Sequence, residues 1–166
     1  TYLMTRIGKQ APAWVAAPEI VLALSLYRGL ACYGEIPHGA FFLCLTGLIC
    51  ALTDIFAYLV GSRFGRHKLA PKVSPGKSIE GALGGLGITV VLIVLVFGRF
   101  FDDIGTLVLY TAVVSILGQF GDLSMSAVKR VAGVKDFGHI FPGHGGILDR
   151  CDSLMYPLAF TWLLYC

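Results

Sequence analysis

The stretch G-A-F-F-L-C-L-T-G-L-I-C-A-L-T-D-I-F-A-Y-L-V, from Gly39 to Val60, carries no charged residue except Asp54. A transmembrane helix needs about 20 predominantly apolar residues, so this stretch predicts a helix that crosses a membrane. The composition agrees, because 56% of the residues are hydrophobic and only 14% are charged. In a soluble domain about a quarter of the residues are charged. We therefore expect a membrane protein.

Four further apolar runs extend this pattern to residues 11–31, 81–101, 104–128 and 154–166. We expect an all-α fold, a polytopic bundle of transmembrane helices that forms one membrane-embedded domain over residues 1–166. The glycines that open the 81–101 run favour close packing of helices, with contact to phosphate as the alternative. Because the chain begins at Thr1 rather than Met and ends inside an apolar run, we expect a fragment that lacks N-terminal spans.

Two basic loops interrupt the apolar runs. The first loop, Ser62–Glu80, contains Arg63, Arg66, Lys68, Lys72 and Lys77, and the second, Ser126–Asp152, contains Lys129, Arg130, Lys135 and Arg150. If the spans alternate in direction, both loops lie on one face, and the positive-inside tendency makes that face cytoplasmic. This asymmetry accounts for the basic balance of the chain, so no nucleic-acid partner is expected. Pro75 and Gly76 predict a turn inside the first loop.

Aspartates from three separate segments approach this cytoplasmic layer. Asp54 and Asp122 lie near the cytoplasmic ends of their runs, and Asp149 and Asp152 are spaced i, i+3 where the chain re-enters the membrane. Carboxylate oxygens of this kind suit Mg²⁺, which proteins usually hold with one or two carboxylates together with substrate phosphates. Asp122 and Asp149 are the favoured metal ligands. The alternative is that each aspartate forms a purely structural pair with a lysine or arginine.

The cations of the two loops suit phosphate. Arginine binds phosphate through two parallel hydrogen bonds, and lysine supplies a compact point charge. Lys77, in S-P-G-K-S, is one such candidate, with an ordinary solvated loop as its alternative. The H-G-G sequence at His144 to Gly146 could form a backbone nest that binds anions. The five cysteines show no C-x-x-C spacing, and we expect neither a disulfide framework nor a zinc site.

The second loop resembles, almost residue for residue, the signature of the phosphatidate cytidylyltransferase (CDP-diacylglycerol synthase) family. The family pattern is S-x-x-K-R-x-x-x-x-K-D, then a glycine, an apolar residue, P-x-H-G-G and D-R-x-D. The matching positions are Ser126, Lys129, Arg130, Lys135, Asp136, Gly138, Phe141, Pro142, His144, Gly145, Gly146, Asp149, Arg150 and Asp152. The segment from Asp54 to Gly81 and the G-D-L at Gly121 to Leu123 also resemble this family.

The resemblance implies a Mg²⁺-dependent enzyme in a bacterial cytoplasmic membrane, with its active site facing the cytoplasm. A single Mg²⁺ ion and Mg²⁺ with a second cation are the two alternatives for its metal site. Such an enzyme joins CTP to phosphatidic acid and gives CDP-diacylglycerol and pyrophosphate. The resemblance also implies a homodimer in the lipid bilayer. A CTP-dependent lipid kinase of the polyprenol or dolichol type is the alternative, and an ion or proton transporter is a more distant one.

The residue pattern and the resemblance together nominate two groups of site residues. The catalytic candidates, which include both metal ligands, are Asp122, Asp149, Lys129, Arg130, Lys135 and Arg150. The candidates for substrate binding are Ser74, Lys77, Asp54, Asp136, His144, Gly145, Gly146 and Asp152.

Overall fold

Long helices make up most of the chain in the computed structural model, which describes residues 24, 27–35, 37–71, 73–131 and 148–165. After a helical segment over residues 27–35, the elements follow in chain order. They are helix α1 (Gly39–Phe64), strands β1 (Lys68–Ala70) and β2 (Ser74–Ser78), helix α2 (Ile79–Phe97), a 3₁₀ turn (Gly98–Phe100), and helices α3 (Ile104–Val131) and α4 (Leu148–Tyr165).

Helices α1, α2 and α3 are long and apolar enough to cross a membrane. Helix α1, with 26 residues, is about 39 Å long at 1.5 Å per residue, which exceeds the roughly 30 Å hydrocarbon core of a bilayer. The three helices coincide with the apolar runs predicted at residues 39–60, 81–101 and 104–128. The predicted all-α, polytopic fold is therefore confirmed.

The first and the last predicted runs, residues 11–31 and 154–166, are each described in part. Most of the 11–31 run lies outside the described residues, and its described part, residues 24 and 27–31, is helical. Helix α4 begins at Leu148 rather than at residue 154, so Asp149 and Asp152 lie in its first turns. Because three charged residues open α4, it is not among the helices of the described chain that qualify as membrane spans by composition.

A short β-hairpin in the first basic loop was not predicted. Strands β1 and β2 pair antiparallel, with Lys68 opposite Ser78 and Ala70 opposite Ser74. The chain reverses between Ala70 and Ser74, so the turn predicted at Pro75 and Gly76 was wrong. Both residues lie inside β2 and are exposed. Proline and glycine are depleted in strands, and strands this short have no clear apolar alternation, which explains why the sequence did not reveal the hairpin.

Glycines bring α1 and α2 into close contact. A Cβ added to any of three glycines of α2 would lie 2.5, 2.6 or 2.8 Å from the nearest atom of α1; these glycines are Gly81, Gly84 and Gly85. A Cβ on Gly87, by contrast, would have no atom of any other described element within 4 Å. Three of the four glycines at the start of α2 therefore serve helix packing, as the sequence favoured.

Hydroxyl groups link the helices inside the bundle. The Tyr33 hydroxyl lies 3.0 Å from Thr46 Oγ1 and 2.9 Å from Thr161 Oγ1, and the Tyr110 hydroxyl lies 2.6 Å from Thr46 Oγ1. This cluster, which we call the hydroxyl cluster, joins the segment at residues 27–35 to α1, α3 and α4. It holds the helices together at the end of the bundle opposite the hairpin.

A second hydroxyl contact lies nearer the hairpin. Thr53 Oγ1 of α1 donates to Ser115 Oγ of α3 at 2.9 Å and approaches Thr89 Oγ1 of α2 at 3.5 Å. All three residues are buried. Interhelical hydrogen bonds of this kind contribute roughly 0.6 kcal/mol each on average inside a membrane, and they fix the relative positions of α1, α2 and α3.

Helix α3 begins with an aspartate cap. The Asp103 carboxylate accepts hydrogen bonds from the backbone N–H of Gly105 at 2.9 Å and of Thr106 at 3.0 Å, and also from the Thr106 hydroxyl. The Thr106 hydroxyl and then these backbone N–H groups lower the pKa of Asp103, because they stabilise its charged form.

One cysteine differs from the sequence expectation. Cys32 is disulfide-bonded, whereas the sequence predicted no disulfide framework. Cys44 and Cys50 are free thiols, exposed and buried respectively. Cysteine spacing along a sequence reports local motifs, and it does not show which cysteines meet when distant helices pack together.

Candidate active site

Asp122 of α3 forms an ion pair with Lys77 of β2, between Asp122 Oδ2 and Lys77 Nζ. Each side chain is 27% exposed, so both remain accessible from solvent. This contact brings one predicted metal ligand and one predicted phosphate-binding cation into a single site. It also shows the pairing of an aspartate with a lysine that the sequence left open as the alternative for Asp122.

The hairpin makes a second contact with α3 near the end of that helix. Arg130 Nε donates a hydrogen bond to the backbone carbonyl of Val73 at 3.2 Å. Because Asp122 and Arg130 are eight residues apart, these two contacts are spaced by about 12 Å along the helix axis. The hairpin therefore lies along the last turns of α3, where the helix presents Lys129 and Arg130 at its carbonyl end.

The base of the hairpin is tied to the start of α2. The Glu80 carboxylate accepts hydrogen bonds from the backbone N–H groups of Arg66 at 3.1 Å and His67 at 3.2 Å, and Glu80 Oε1 lies 2.6 Å from His67 Nδ1. The backbone N–H of Ile79 donates to the carbonyl of His67 at 3.0 Å. These bonds hold both strands where the chain enters α2.

The structure describes three further candidates. Lys129 is buried, with 8% of its surface exposed. Ser74 opens β2 opposite Ala70 and is half-buried, and Asp54 lies on an exposed face of α1. Within the described ranges, no three His, Cys, Asp or Glu side chains group together as possible metal ligands. The roles predicted for these residues stay predictions.

Several predicted site residues fall in the part of the chain outside the described residues, namely Lys135, Asp136, His144, Gly145 and Gly146. Three others, Asp149, Arg150 and Asp152, belong to the helical backbone of α4. The helix therefore fixes their backbone positions on α4.

Helices α3 and α4 run antiparallel with a register that brings the α4 backbone at residue 149 level with residue 122 of α3. A Cβ on Gly118 of α3 would lie 3.2 Å from the backbone carbonyl of Ser153 of α4, so the two helices touch there. Asp122 is four residues after Gly118, and Asp149 is four residues before Ser153. A step of four residues is about one turn and returns to the same helix face. The two aspartates therefore occupy the same level of this helix pair.

The same register holds at the far end of the pair. The Tyr33 hydroxyl lies 3.4 Å from the Tyr110 hydroxyl of α3 and 2.9 Å from Thr161 Oγ1 of α4. Tyr110 precedes Gly118 by eight residues, and Thr161 follows Ser153 by eight. The contacts at Gly118 and at Tyr33 therefore indicate the same alignment of α3 with α4. One turn further toward the hairpin, this alignment brings the backbone positions of the predicted metal ligands, residues 122 and 149, to the same level.

Sequence reasoning did not select Ser78 or Glu80 as site residues. Ser78 caps α2, since its Oγ accepts a hydrogen bond from the backbone N–H of Gly81 at 3.1 Å. The sequence did contain a signal for the cap at Ser78, because a serine directly before an apolar run is a common start of a helix. Glu80 gave no comparable signal, since its partners Arg66 and His67 are brought to it only by the hairpin.

The chain belongs to the cytidylyltransferase family, whose pattern matches residues 4–166. Among similar curated proteins is the phosphatidate cytidylyltransferase of Staphylococcus haemolyticus, 47% identical over 134 residues. The proteins of the same name from Staphylococcus aureus and Staphylococcus epidermidis are 48% and 49% identical. Each match covers 80% of this chain and 52% of the relative. The chain thus spans about half the length of the curated relatives it matches.

Proposed function

We propose that this protein transfers the cytidylyl group of CTP to phosphatidic acid, giving CDP-diacylglycerol and pyrophosphate. The observation that carries the proposal is the junction of Lys77, Asp122 and the α4 position of Asp149 at one end of the apolar bundle. Relatives named phosphatidate cytidylyltransferase, at 47–49% identity, support the same reaction.

The donor set fits a magnesium ion. Asp122 and Asp149 would supply the carboxylate oxygens that Mg²⁺ prefers, with substrate phosphates completing its coordination. The ion, when bound, would neutralise negative charge on the triphosphate, and a second cation nearby would act in the same sense. Asp122 is accessible enough to exchange its lysine partner for such an ion, since about a quarter of its side chain is exposed.

The chain's cations would neutralise the two anionic substrates. In the reaction, a phosphate oxygen of phosphatidic acid attacks the α-phosphorus of CTP, and the bond from that phosphorus to pyrophosphate breaks. The attacking phosphomonoester is already anionic at neutral pH, since its second pKa is near 6. A general base is therefore hardly needed, and charge neutralisation and positioning supply most of the catalysis. Lys77, Lys129 and Arg130 are the described cations suited to this task.

The remaining nominated residues complete the proposal. Lys135 and Arg150 would add positive charge. Contacts to the nucleotide or the lipid headgroup would come from Ser74, Asp54, Asp136, His144, Gly145, Gly146 and Asp152. The site would face the cytoplasm from the inner membrane, so that CTP arrives from water while the acyl chains of phosphatidic acid stay in the bilayer. A homodimer is part of the proposal, and the molecular mass of the purified full-length protein in detergent tests it.

Product analysis tests the reaction. Membranes containing the full-length protein should convert CTP and phosphatidic acid to CDP-diacylglycerol and pyrophosphate when Mg²⁺ is present. A lipid kinase would release CDP instead, and a transporter would show no dependence on CTP. Either result would refute the proposed reaction.

Two substitutions test the proposed metal ligands. We expect Asp122→Asn and Asp149→Asn each to lower activity by about 100-fold or more, the usual effect of removing one electrostatic contact to a developing charge. Asp102→Asn is the matched control, because Asp102 is exposed in the connection between the 3₁₀ turn and α3. Undiminished activity of Asp149→Asn would show that this residue does not hold the metal.

A further inference from the structure

Ser78 occupies a buried position directly after Lys77, where β2 ends and α2 begins. Only 4% of its surface is exposed. Its backbone is extended, with φ −124° and ψ 155°, and its hydroxyl oxygen accepts the backbone N–H of Gly81. Ser78 thus belongs to both elements, as the last residue of the strand and the N-cap of the helix.

Two glycines at the end of α1 make room for the Ser78 side chain. A Cβ on Gly61 would lie 2.8 Å from Ser78 Oγ, and a Cβ on Gly65 would lie 2.6 Å from the same atom. Real Cβ atoms do not approach other atoms so closely, so the hydroxyl fits only because both positions are glycine. The Ser78 side chain therefore packs the end of β2 against the end of α1.

Ser78 and Lys77 contact different helices. The pairing of β1 with β2 is irregular between Ser74 and Ser78, so regular alternation of side chains does not apply at Lys77. The contacts themselves give the two directions, because the Ser78 hydroxyl lies against α1 and caps α2, whereas Lys77 meets Asp122 of α3. Since the two residues are adjacent in the chain, the packing of Ser78 fixes where the backbone of Lys77 lies relative to α3.

We propose that Ser78 is a positioning residue. By packing against Gly61 and Gly65 and by accepting the N–H of Gly81, it directs Lys77 toward the site at Asp122. This inference rests on the proposed function for the meaning of that site. Lysine is a flexible side chain that carries a point charge, so the placement of its backbone decides where the charge can act. A displacement of about 1 Å at a reacting centre can cost roughly 100-fold in rate.

A double-mutant cycle on the full-length protein tests the proposal. We expect Ser78→Ala to lower kcat/KM for CTP by about 10-fold or more, and to have little further effect in a Lys77→Gln background, because residues that act as a unit are not additive. Ser62→Ala is the control, since Ser62 is exposed in the last turn of α1 and its hydroxyl donates to the Leu59 carbonyl of the same helix, at 3.0 Å. An equal loss from Ser78→Ala in both backgrounds would overturn the proposal.

A folding defect is separated from a positioning defect by a second variant. Glycine replaces serine at an N-cap with much less loss of helix stability than alanine does. Ser78→Gly therefore keeps the start of α2 and still removes the hydroxyl that fits against α1. It should reproduce the kinetic loss of Ser78→Ala. Full activity of a well-folded Ser78→Gly would contradict the proposal.

The reactivity of Lys77 provides a measurement that does not depend on activity. Mass spectrometry follows the rate at which an amine-acylating reagent modifies Lys77, with exposed Lys68 as the reference lysine. Ser78→Ala should raise the rate at Lys77 as Asp122→Asn does, and the double variant should add nothing. An unchanged rate would refute the positioning role. If the wild type makes no CDP-diacylglycerol, the proposed function fails, and this measurement still decides the role of Ser78.

Discussion

The contact between α1 and α2 gives the sharpest prediction for stability, through Gly85→Ala. A Cβ on Gly85 would lie 2.8 Å from the carbonyl oxygen of Thr53 and 2.8 Å from the backbone nitrogen of Ala57. Ordinary contact begins at about 3.4 Å, so the helices would have to separate by roughly 0.6 Å. Both neighbouring atoms belong to the backbone of α1 and cannot turn away as a flexible side chain would.

The magnitude is best measured against Gly87→Ala. In the part of the chain that the structure describes, a Cβ on Gly87 would have no atom of another element within 4 Å. Both substitutions gain the same helix propensity, about 1 kcal/mol for alanine over glycine, so this gain cancels between the two variants. Overpacking costs roughly 1–3 kcal/mol. We therefore expect Gly85→Ala to be less stable than Gly87→Ala by about 1–3 kcal/mol.

Thermal unfolding of the purified full-length variants in one detergent checks this difference. The Tm of Gly85→Ala should lie several degrees below that of Gly87→Ala, since one kcal/mol corresponds to about 2–4 °C for chains of 150–250 residues. Equal Tm values for the two variants would refute the reasoning. In that case the closeness of α1 and α2 at Gly85 would not constrain the fold.

Two more predictions concern hydrogen bonds elsewhere in the bundle. Thr53→Val keeps the side-chain shape but removes the bond to Ser115, and it should lower the free energy of unfolding by about 0.6–1.7 kcal/mol; a change below measurement error in detergent unfolding would contradict this. Asp103→Asn should lower the Tm at pH 7, because the folded pKa of Asp103 lies below its unfolded value of roughly 3.9. The stabilisation by the Asp103 carboxylate is present above its unfolded pKa and is lost as the pH falls through its folded pKa. The Tm difference between the wild type and Asp103→Asn should therefore narrow in acid, and a constant difference would refute this role of Asp103.

The sequence predicted the large helices because their cause is local to each segment. An apolar run such as Gly39–Val60 has few alternatives to a membrane-spanning helix. The close packing at Gly81 and Gly85 was predictable for a related reason, since small residues at helical spacing let two backbones approach.

The hairpin and the Cys32 disulfide were not predictable in this way, because both depend on residues brought together by the fold. The strand S-P-G-K-S contains two residues that disfavour strands. The residues on either side of it are held by hydrogen bonds, at Val73 from Arg130 and at Ile79 and Glu80 to His67. The sequence selected Lys77 and Asp122 separately, as a phosphate cation and a metal ligand. It could not show that they would contact each other, since that depends on where the hairpin lies against α3.

The hydroxyl cluster has a fixed direction of proton donation. Thr46 donates to the carbonyl of Phe42 at 2.8 Å, and Thr161 donates to the carbonyl of Pro157 at 2.9 Å. A hydroxyl has only one proton to give, so both threonines must accept from the tyrosines. Thr46 is the acceptor that both tyrosines reach, so Thr161→Val still leaves the Tyr33 O–H an acceptor at 3.0 Å. Thr46→Val leaves the Tyr110 O–H only the Tyr33 oxygen, at 3.4 Å, among the hydrogen-bond partners seen in the described cluster. Thr46 is therefore the less replaceable of the two threonines.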